Sequence, residues 1–310
     1  MFKNIIAFLK IEHFGINMLD RKEFDILVAS LDGKNSQRDI AIKSGYSLGT
    51  VNKVYNDLEQ KGFIKNKVIT DAGKKALEPY ECKRAIFIAA GFGSRMVPVT
   101  LNTPKPLVRV KGKRIIDGLL DMCLSVGINE IYIVRGYLGS QFDQLLEKYP
   151  MIKFIENDLY NEANNISSAL LAKDLLENAY VFEADLLVCN PNVIKKYHYC
   201  SDFMGFKVDK TDDWCFTTKN GIITSQVVGG VNCYQEVGIS YWNKEDGKKL
   251  KKDIEELFNS PGGKERYWDQ APMLVYKKNY KVEINECQPG DIIEIDTYKE
   301  LCALDSLYKI

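Results

Sequence analysis

Two glycines and two basic residues, set close together after an apolar segment, are the first residues of this chain whose types suggest a specific chemistry. Gly91 and Gly93 follow the apolar run 85–89, which is typical of a buried strand. Glycine can adopt positive φ, so backbone N–H groups in this turn can converge on the oxygens of a ligand. Arg95 adds a planar permanent cation, and Lys105, set between two stiff prolines, adds a compact one. The spacing predicts a phosphate-binding turn; the alternative is an ordinary strand-to-helix turn with a surface arginine.

Two acidic residues each follow an apolar, strand-like segment. Asp185 ends the segment V-F-E-A-D, and Asp296 ends the segment I-I-E-I-D. A carboxylate is costly to bury without a nearby cation. A Mg²⁺ ion held by one or two carboxylates together with substrate phosphates would supply that charge. We therefore predict that Asp185 and Asp296 share a metal ion; for Asp185 alone, the alternative is a cap on the next helix or turn.

The elements that would position these residues alternate between strands and helices from Lys83 onward. In chain order, the patterns predict strand 85–89, helix 115–127, strand 130–135, helix 138–148, strand 152–156 and strand 179–183. This alternation predicts an α/β, Rossmann-like fold with a doubly wound, mostly parallel sheet. Sheets of this kind bind ligands at the carboxyl ends of their strands, so the glycine turn and Asp185 are expected to face one crevice.

The segment before Lys83 has a different pattern. It predicts, in order, helix 21–31, helix 36–43, helix 47–61, a β-wing over 62–70 and a closing helix over 71–77. With its L-x-x-K-G-F-I and I-T-x-A-G motifs, the segment 20–78 resembles a winged-helix domain of the MarR type. We therefore predict a winged helix-turn-helix domain over 1–80, a linker over 78–83 and a second domain over 83–310.

The third of these helices would enter the major groove if the first domain binds DNA. It would then present Ser47, Thr50, Lys53 and Asn56. The segment has only a small excess of basic over acidic residues, so a strong electrostatic attraction to DNA is not predicted. A docking or self-association module that keeps the fold without binding DNA is the equally weighted alternative.

The composition of the whole chain restricts the class of protein. Its 310 residues include 42 basic and 42 acidic ones, so no global charge directs it to nucleic acid or to a membrane surface. The eight cysteines are scattered without a C-x-x-C pair, which argues against a zinc site and against a disulfide framework. The opening residues lack the pattern of a signal peptide, and we expect a cytoplasmic protein without a membrane-inserted segment.

A longer pattern around the glycine turn is more specific than the glycines alone. The sequence A-A-G-x-G-S-R, followed by P-x-T and T-P-K-P-L-V, resembles the signature of nucleotidyltransferases that activate sugar phosphates and phosphocholine. It is neither a P-loop nor a dinucleotide fingerprint, because no Gly-Lys-Ser/Thr follows and Met96 replaces the third glycine. From about Lys83 to the C-terminus the chain resembles bacterial CTP:phosphocholine cytidylyltransferases, also through N-N, E-A-D, D-W, Y-W-D and E-I-D motifs.

The resemblance implies roles for individual residues. It implies Mg²⁺ at Asp185 and Asp296, and catalysis by Arg95, Lys105 and Asp185. It implies that the nucleotide is bound by the glycine turn and its surroundings, namely Ala89, Ala90, Gly91, Gly93, Ser94, Arg95, Lys105 and Asn164. Arg135 departs from the family pattern, in which a small or apolar residue is commoner.

An aromatic and acidic cluster is the candidate site for the amine of the second substrate. A quaternary ammonium has no N–H donor, so proteins recognise it through aromatic ring faces and nearby carboxylates. Trp214, Tyr267, Trp268 and Asp269 are the candidates. For each aromatic residue, packing in the core is the alternative.

Together with the resemblance, these residues predict a cytidylyltransferase that joins CTP and phosphocholine to give CDP-choline and pyrophosphate. The phosphate monoester is already an anion, so the reaction needs no general base, and neither His13 nor His198 lies in a motif. The same chemistry on 2-aminoethylphosphonate or phosphoethanolamine is the alternative, because a primary ammonium prefers hydrogen-bond acceptors. An alternative of another class is a transcription regulator that only senses the nucleotide.

Overall fold

The structure is a computed structural model that describes residues 18–33 and 35–309. The chain divides into two compact units, Met1–Glu81 and Cys82–Ile310. The prediction that no signal peptide is present concerns the opening residues, which lie outside the described part of the chain together with His13. Over the described ranges, no helix is both long and apolar enough to cross a bilayer.

The first unit is the predicted winged helix. Its elements are, in chain order, α1 (Arg21–Ala29), α2 (Gln37–Ser44), α3 (Leu48–Gln60), β1 (Ile64–Lys65), β2 (Val68–Ile69) and α4 (Asp71–Leu77). The side chains of Ser36 and Ser47 accept hydrogen bonds from the first turns of α2 and α3, and Gly45 ends α2 in the left-handed conformation. β1 and β2 pair antiparallel to form the short wing.

The second unit alternates strands and helices as predicted. Its elements are, in chain order, β3 (Arg84–Ala89), β4 (Arg109–Val110), β5 (Lys113–Arg114), α5 (Ile115–Ser125), β6 (Glu130–Arg135), β7 (Ile152–Glu156), α6 (Ile166–Leu171), β8 (Ala179–Glu183), β9 (Leu186–Val188), β10 (Asp202–Lys219), β11 (Ile222–Trp242), α7 (Lys244–Phe258), β12 (Glu283–Cys287), β13 (Ile292–Glu294) and α8 (Tyr298–Leu304).

The central sheet has a parallel half and a mixed half. Its seven strands lie in the order β10-β12-β11-β8-β3-β6-β7. β3 pairs in parallel with both β6 and β8, and β6 pairs in parallel with β7. β11 joins β8 antiparallel and forms a long hairpin with β10. The predicted fold, with its mostly parallel sheet, is confirmed, while the hairpin is an addition that the strand patterns did not indicate.

Apolar layers bury both faces of the sheet. Successive residues of β3 alternate between them: Phe87 packs in the cluster with Leu119 of α5, and Ile86 packs in the cluster with Ile254 of α7. A strand buried on both faces has a continuous apolar sequence, which explains the uninterrupted run 85–89.

The predicted helix over 138–148 is a series of 3₁₀ turns over Gly139–Glu147. Leu138 has a left-handed backbone with φ of 49°. Hydrogen bonds then join residues three apart, from the N–H of Gly139 to the oxygen of Gly136 and from the N–H of Gln141 to the oxygen of Leu138. The left-handed residue interrupts the backbone direction at the point where an α-helix would have begun.

Arg135, the departure from the family pattern, connects this segment to β7. Its guanidinium forms ion pairs with Asp143 at 2.5 Å and with Glu156 at 2.7 Å. It also stacks 3.9 Å from the centre of the Phe154 ring. The contacts give this residue a structural role that does not involve the predicted nucleotide-binding turn.

Candidate active site

The glycine turn follows β3 and folds back onto Lys105. Gly93 has φ of +62°, and a Cβ at this position would lie only 3.0 Å from Cβ of Lys105. The hydroxyl of Thr100 donates a hydrogen bond to the oxygen of Gly93 at 2.8 Å, which closes the turn. Of the two glycines, only Gly93 uses positive φ; a Cβ on Gly91 would meet open space. Gly91 therefore leaves room for a ligand to approach the backbone.

Lys105 is the centre of an ionic network. Its side chain is largely buried, and Nζ donates to Oδ2 of Asp185 at 2.6 Å and to Oδ1 of Asp296 at 3.0 Å. Arg95, which is exposed, donates to the same oxygen of Asp296 at 2.7 Å. Burial alone would lower the pKa of Lys105, but the two facing carboxylates outweigh it and raise the pKa. Lys105 is thus a fixed cation in the cavity.

A small strand pair brings the two acids together. β9, which begins one residue after Asp185, pairs antiparallel with β13, which ends two residues before Asp296. The backbone N–H of Ile295 donates to the oxygen of Asp185 at 3.2 Å. The two acids predicted to share a metal ion therefore lie side by side, although the sequence separates them widely.

The oxygen atoms around Asp185 suit a hard divalent cation. Oδ1 of Asp185 is buried and has no hydrogen-bond partner in the part of the chain that the structure describes. Carboxylate oxygens of Glu183, Asp185 and Glu294 all lie within 4.8 Å of one another. An orphaned buried carboxylate oxygen beside two further carboxylates fits a metal ion better than it fits an empty cavity. These three side chains form a donor set that matches such an ion.

A cavity of about 440 Å³ joins the glycine turn to these acids. The eight residues predicted to bind the nucleotide all line it: Ala89, Ala90, Gly91, Gly93, Ser94, Arg95, Lys105 and Asn164. Asn164 is held by its neighbours, since its Oδ1 accepts from the N–H of Asn165 at 2.7 Å and its Nδ2 donates to the oxygen of Glu265 at 3.2 Å. The nucleotide-binding roles themselves stay a prediction.

Two of the three predicted aromatic residues also line the cavity. Trp214 and Tyr267 line it, with ring centres 6.3 Å apart in an edge-to-face arrangement. Asp269 also lines it. Trp268 does not: it is 2% exposed and packs against Trp242 in the core. Because neighbouring residues of a chain project in different directions, the Y-W-D motif sends only its first and third side chains to the cavity.

Four further carboxylates that line the cavity were not among the predicted site residues: Glu183, Asp213, Glu236 and Glu294. Glu183 and Glu236 line it, and burial together with repulsion by neighbouring acids raises the pKa of each well above its ordinary value. Glu294 has access to solvent, yet desolvation by the cavity walls and repulsion by Asp185 and Asp296 raise its pKa to about 8. The repeated E-x-D at the ends of β8 and β13 was the available signal, since alternate residues of a strand share a side.

Comparison with known proteins gives the class of this chain. The nucleotidyl transferase family matches residues 84–220, and the winged helix-turn-helix DNA-binding family matches residues 19–65. A solved structure of CTP:phosphocholine cytidylyltransferase from Streptococcus pneumoniae superposes with a TM-score of 0.68 at 30% identity, covering 73% of this chain and 99% of that one. The fold is therefore that of a nucleotidyltransferase.

Two curated relatives narrow the class. A 2-aminoethylphosphonate cytidylyltransferase of Lancefieldella rimae is 34% identical over 232 residues, which cover 74% of this chain and 94% of the relative. A choline-phosphate cytidylyltransferase of Streptococcus pneumoniae is 31% identical over 236 residues, which cover 73% of this chain and 98% of the relative. The chain belongs to the cytidylyltransferase branch of the nucleotidyltransferase family, whose members act on phosphate-containing substrates.

Replacing the central cation provides a test of the site. We expect Lys105→Ala to lower kcat by about 10² or more, the scale associated with losing one preorganised transition-state contact. Lys105→Arg should restore activity only in part, because a planar fork does not match a point charge between two carboxylates. Release of pyrophosphate from the nucleotide measures both. Lys153→Ala, at an exposed lysine of β7, is the matched control, and a Lys105→Ala variant altered only in KM would contradict a role in the transition state.

Proposed function

We propose that this enzyme transfers a cytidylyl group from CTP to a small phosphate or phosphonate that carries a positively charged amine, with phosphocholine as the leading acceptor. The observation that carries the proposal is the polarity of the cavity. One set of lining residues, here called the basic end, is Arg95 and Lys105 beside open glycine backbone; the other set, here called the acceptor end, is Glu236 and Asp269 with the rings of Trp214 and Tyr267. An anionic triphosphate and a zwitterionic acceptor fit these two ends.

The residues at the basic end support a direct displacement. An oxygen of the acceptor's phosphate attacks the α-phosphorus of CTP in line, a new P–O bond forms, and the bond to the β-phosphate oxygen breaks to release pyrophosphate. Lys105 and Arg95 would stabilise the charge that accumulates on the phosphate oxygens. The attacking oxygen carries no proton at neutral pH, so no side chain has to act as a base. His198 agrees with this, because its ring bonds to Asp202 at 2.6 Å and does not line the cavity.

We assign the divalent cation to Asp185 and Asp296 and infer that it is Mg²⁺. When bound, this ion supplies positive charge that holds the triphosphate against the carboxylates. The orphaned oxygen of Asp185 supports the assignment. Glu183 and Glu294 lie close enough to contribute a further oxygen.

The two aromatic rings support phosphocholine as the acceptor. Within the part of the chain that the structure describes, Trp214 and Tyr267 belong to none of the apolar clusters of the second unit, and Tyr267 is 44% exposed. Core packing therefore does not account for them, whereas contact with a quaternary ammonium would. The loss of Trp268 to the core leaves two ring faces for this contact instead of three.

The carboxylates support 2-aminoethylphosphonate or phosphoethanolamine as the second candidate. Glu236 and Asp269 offer acceptor oxygens, and a primary ammonium has three N–H donors to satisfy. The relative from Lancefieldella rimae acts on 2-aminoethylphosphonate according to its name. A sensor without turnover is less well supported, because sensing alone would not require Lys105 and both metal carboxylates.

Acceptor preference can be measured together with the role of the rings. We expect wild-type enzyme to use phosphocholine with CTP best among four nucleotides and three acceptors. Trp214→Leu should lower kcat/KM for phosphocholine by a factor that is a few-fold to about thirtyfold larger than the factor for phosphoethanolamine. The reason is that leucine removes the ring face but keeps apolar bulk. Pyrophosphate release reports the ratio of kcat/KM values. Trp268→Leu is the control, and we expect it to lower the melting temperature without changing the ratio. Preference for a primary amine in wild-type enzyme would move the assignment to the second candidate.

We also propose that the first unit contacts duplex DNA. Lys53 and Asn56 of α3 are exposed, as are Lys65 and Lys67 of the wing. A helix face and a wing that both carry lysines can reach neighbouring phosphates. This arrangement supports nucleic-acid binding over the docking alternative, although the first unit as a whole is only slightly basic.

Charge reversal on α3 tests the DNA proposal. We expect Lys53→Glu to weaken binding of the full chain to duplex DNA and to reduce the slope of log affinity against log salt by about one. Fluorescence anisotropy over a salt series measures both. Lys74→Glu on α4 is the control for the charge change. Equal affinity in all three proteins, or concentration-dependent self-association without DNA binding, would favour the docking alternative.

A further inference from the structure

Gln226 lies behind the acceptor end of the cavity, between two of its acidic walls. It is on β11, is 4% exposed, and does not itself line the cavity. Its Nε2 donates to Oε2 of Glu236 at 2.8 Å and also to Oδ2 of Asp269. Glu236 and Asp269 both line the cavity. A single buried amide therefore holds two carboxylates that belong to different segments of the chain.

The orientation of this amide is fixed by charge. The opposite rotamer would turn Oε1 of Gln226 toward two carboxylates, which would repel it. In the observed orientation Oε1 is buried and has no hydrogen-bond partner among the residues that the structure describes. A buried amide oxygen without a partner costs free energy. That cost is offset because the amide nitrogen donates to the carboxylates of Glu236 and Asp269 at once.

The carboxylates need such a donor because the groups around them are acidic. Glu183 from β8, Asp213 from β10 and Glu294 from β13 also line this cavity. The cavity's basic side chains, Arg95 and Lys105, are paired with Asp185 and Asp296. Burial raises the pKa of Glu236 and of Asp269, and the hydrogen bond from Gln226 opposes this rise in both.

We infer that Gln226 is a positioning residue that sets the affinity for a cationic acceptor by holding Glu236 and Asp269 as charged walls around its ammonium group. This inference rests on the proposed function, because it requires an acceptor that carries a cation. It concerns the acceptor end alone, so the binding of CTP should not depend on Gln226. It holds equally for a quaternary and for a primary ammonium, since both need negative charge nearby.

Gln226→Met tests the inference, because methionine keeps the length of the side chain and removes the donor. We expect KM for phosphocholine or phosphoethanolamine at pH 7 to rise about tenfold, equivalent to one lost charge-assisted contact, and KM for CTP to stay within about twofold. Without the donor, the pKa values of Glu236 and Asp269 rise further, so these walls lose charge at higher pH. The increase in acceptor KM on acidification should therefore begin at a higher pH than in wild-type enzyme.

Gln235→Met is the matched control. Gln235 lies on the same strand, and its Oε1 accepts from the neutral hydroxyl of Thr211 at 3.0 Å, so the same substitution there disturbs no carboxylate. We expect its acceptor KM and pH profile to match wild-type enzyme. A change in Gln235→Met equal to that in Gln226→Met would overturn the inference, because it would trace the effect to the hairpin as a whole.

Gln226→Glu is a second test variant, for use if Gln226→Met fails to fold. It keeps the size and polarity of the side chain but adds a third carboxylate, so the pH profile should shift in the same direction. An unchanged acceptor KM and pH profile in whichever variant keeps the wild-type melting temperature overturns the inference. The proposed function fails separately if wild-type enzyme turns over none of the cationic acceptors. If wild-type enzyme turns them over and the Gln226 variants have the same acceptor KM and pH profile, only the positioning role is overturned.

Discussion

Lys105 carries one positive charge between the carboxylates of Asp185 and Asp296, and much of the second unit is arranged around this contact. Each partner comes from a different segment: the proline-flanked turn, the end of β8 and the residues after β13. Two enclosed carboxylates would repel each other without a cation between them. The left-handed Gly93 allows the turn to pack directly on the lysine side chain, because any Cβ there would crowd it. The network therefore fixes the geometry of the predicted triphosphate site before any ligand binds.

The same sheet supplies two different kinds of wall to the cavity. Its parallel half ends in the glycine turn and in Asp185, which are short, polar and suited to phosphate. Its antiparallel hairpin extends past the sheet and carries Trp214 and Glu236, which are suited to a cation. This division agrees with relatives that share the cytidylyl chemistry but bear different acceptors in their names.

The carboxylates that line the cavity repel one another, and groups of the protein stabilise their charges only in part. Glu183, Glu236 and Asp269 lie in a desolvated space, and burial raises the pKa of each. The amide group of Gln226 donates hydrogen bonds to two of them, Glu236 and Asp269, and so stabilises their charged forms. The remaining unfavourable charge is an energetic reason for the cavity to bind a cation, because a bound ammonium would stabilise the ionised carboxylates. In this view the affinity for the acceptor comes partly from repulsion within the free protein.

The sequence alone predicted both units of the fold and the glycine turn with Arg95 and Lys105, because strand periodicity, capping residues and local motifs are short-range properties. The proximity of Asp185 and Asp296 is a long-range contact, which the sequence indicated only through the matching acids that end two strand-like segments. Tertiary structure decided what depends on side-chain direction and distant contacts. It sent Trp268 to the core while its neighbours Tyr267 and Asp269 reached the cavity, and it replaced the helix over 138–148 with 3₁₀ turns. It also brought Glu236 of the hairpin and Glu183 of β8 to one site, because the register of β11 on β8, and not any local pattern, places those two strands side by side.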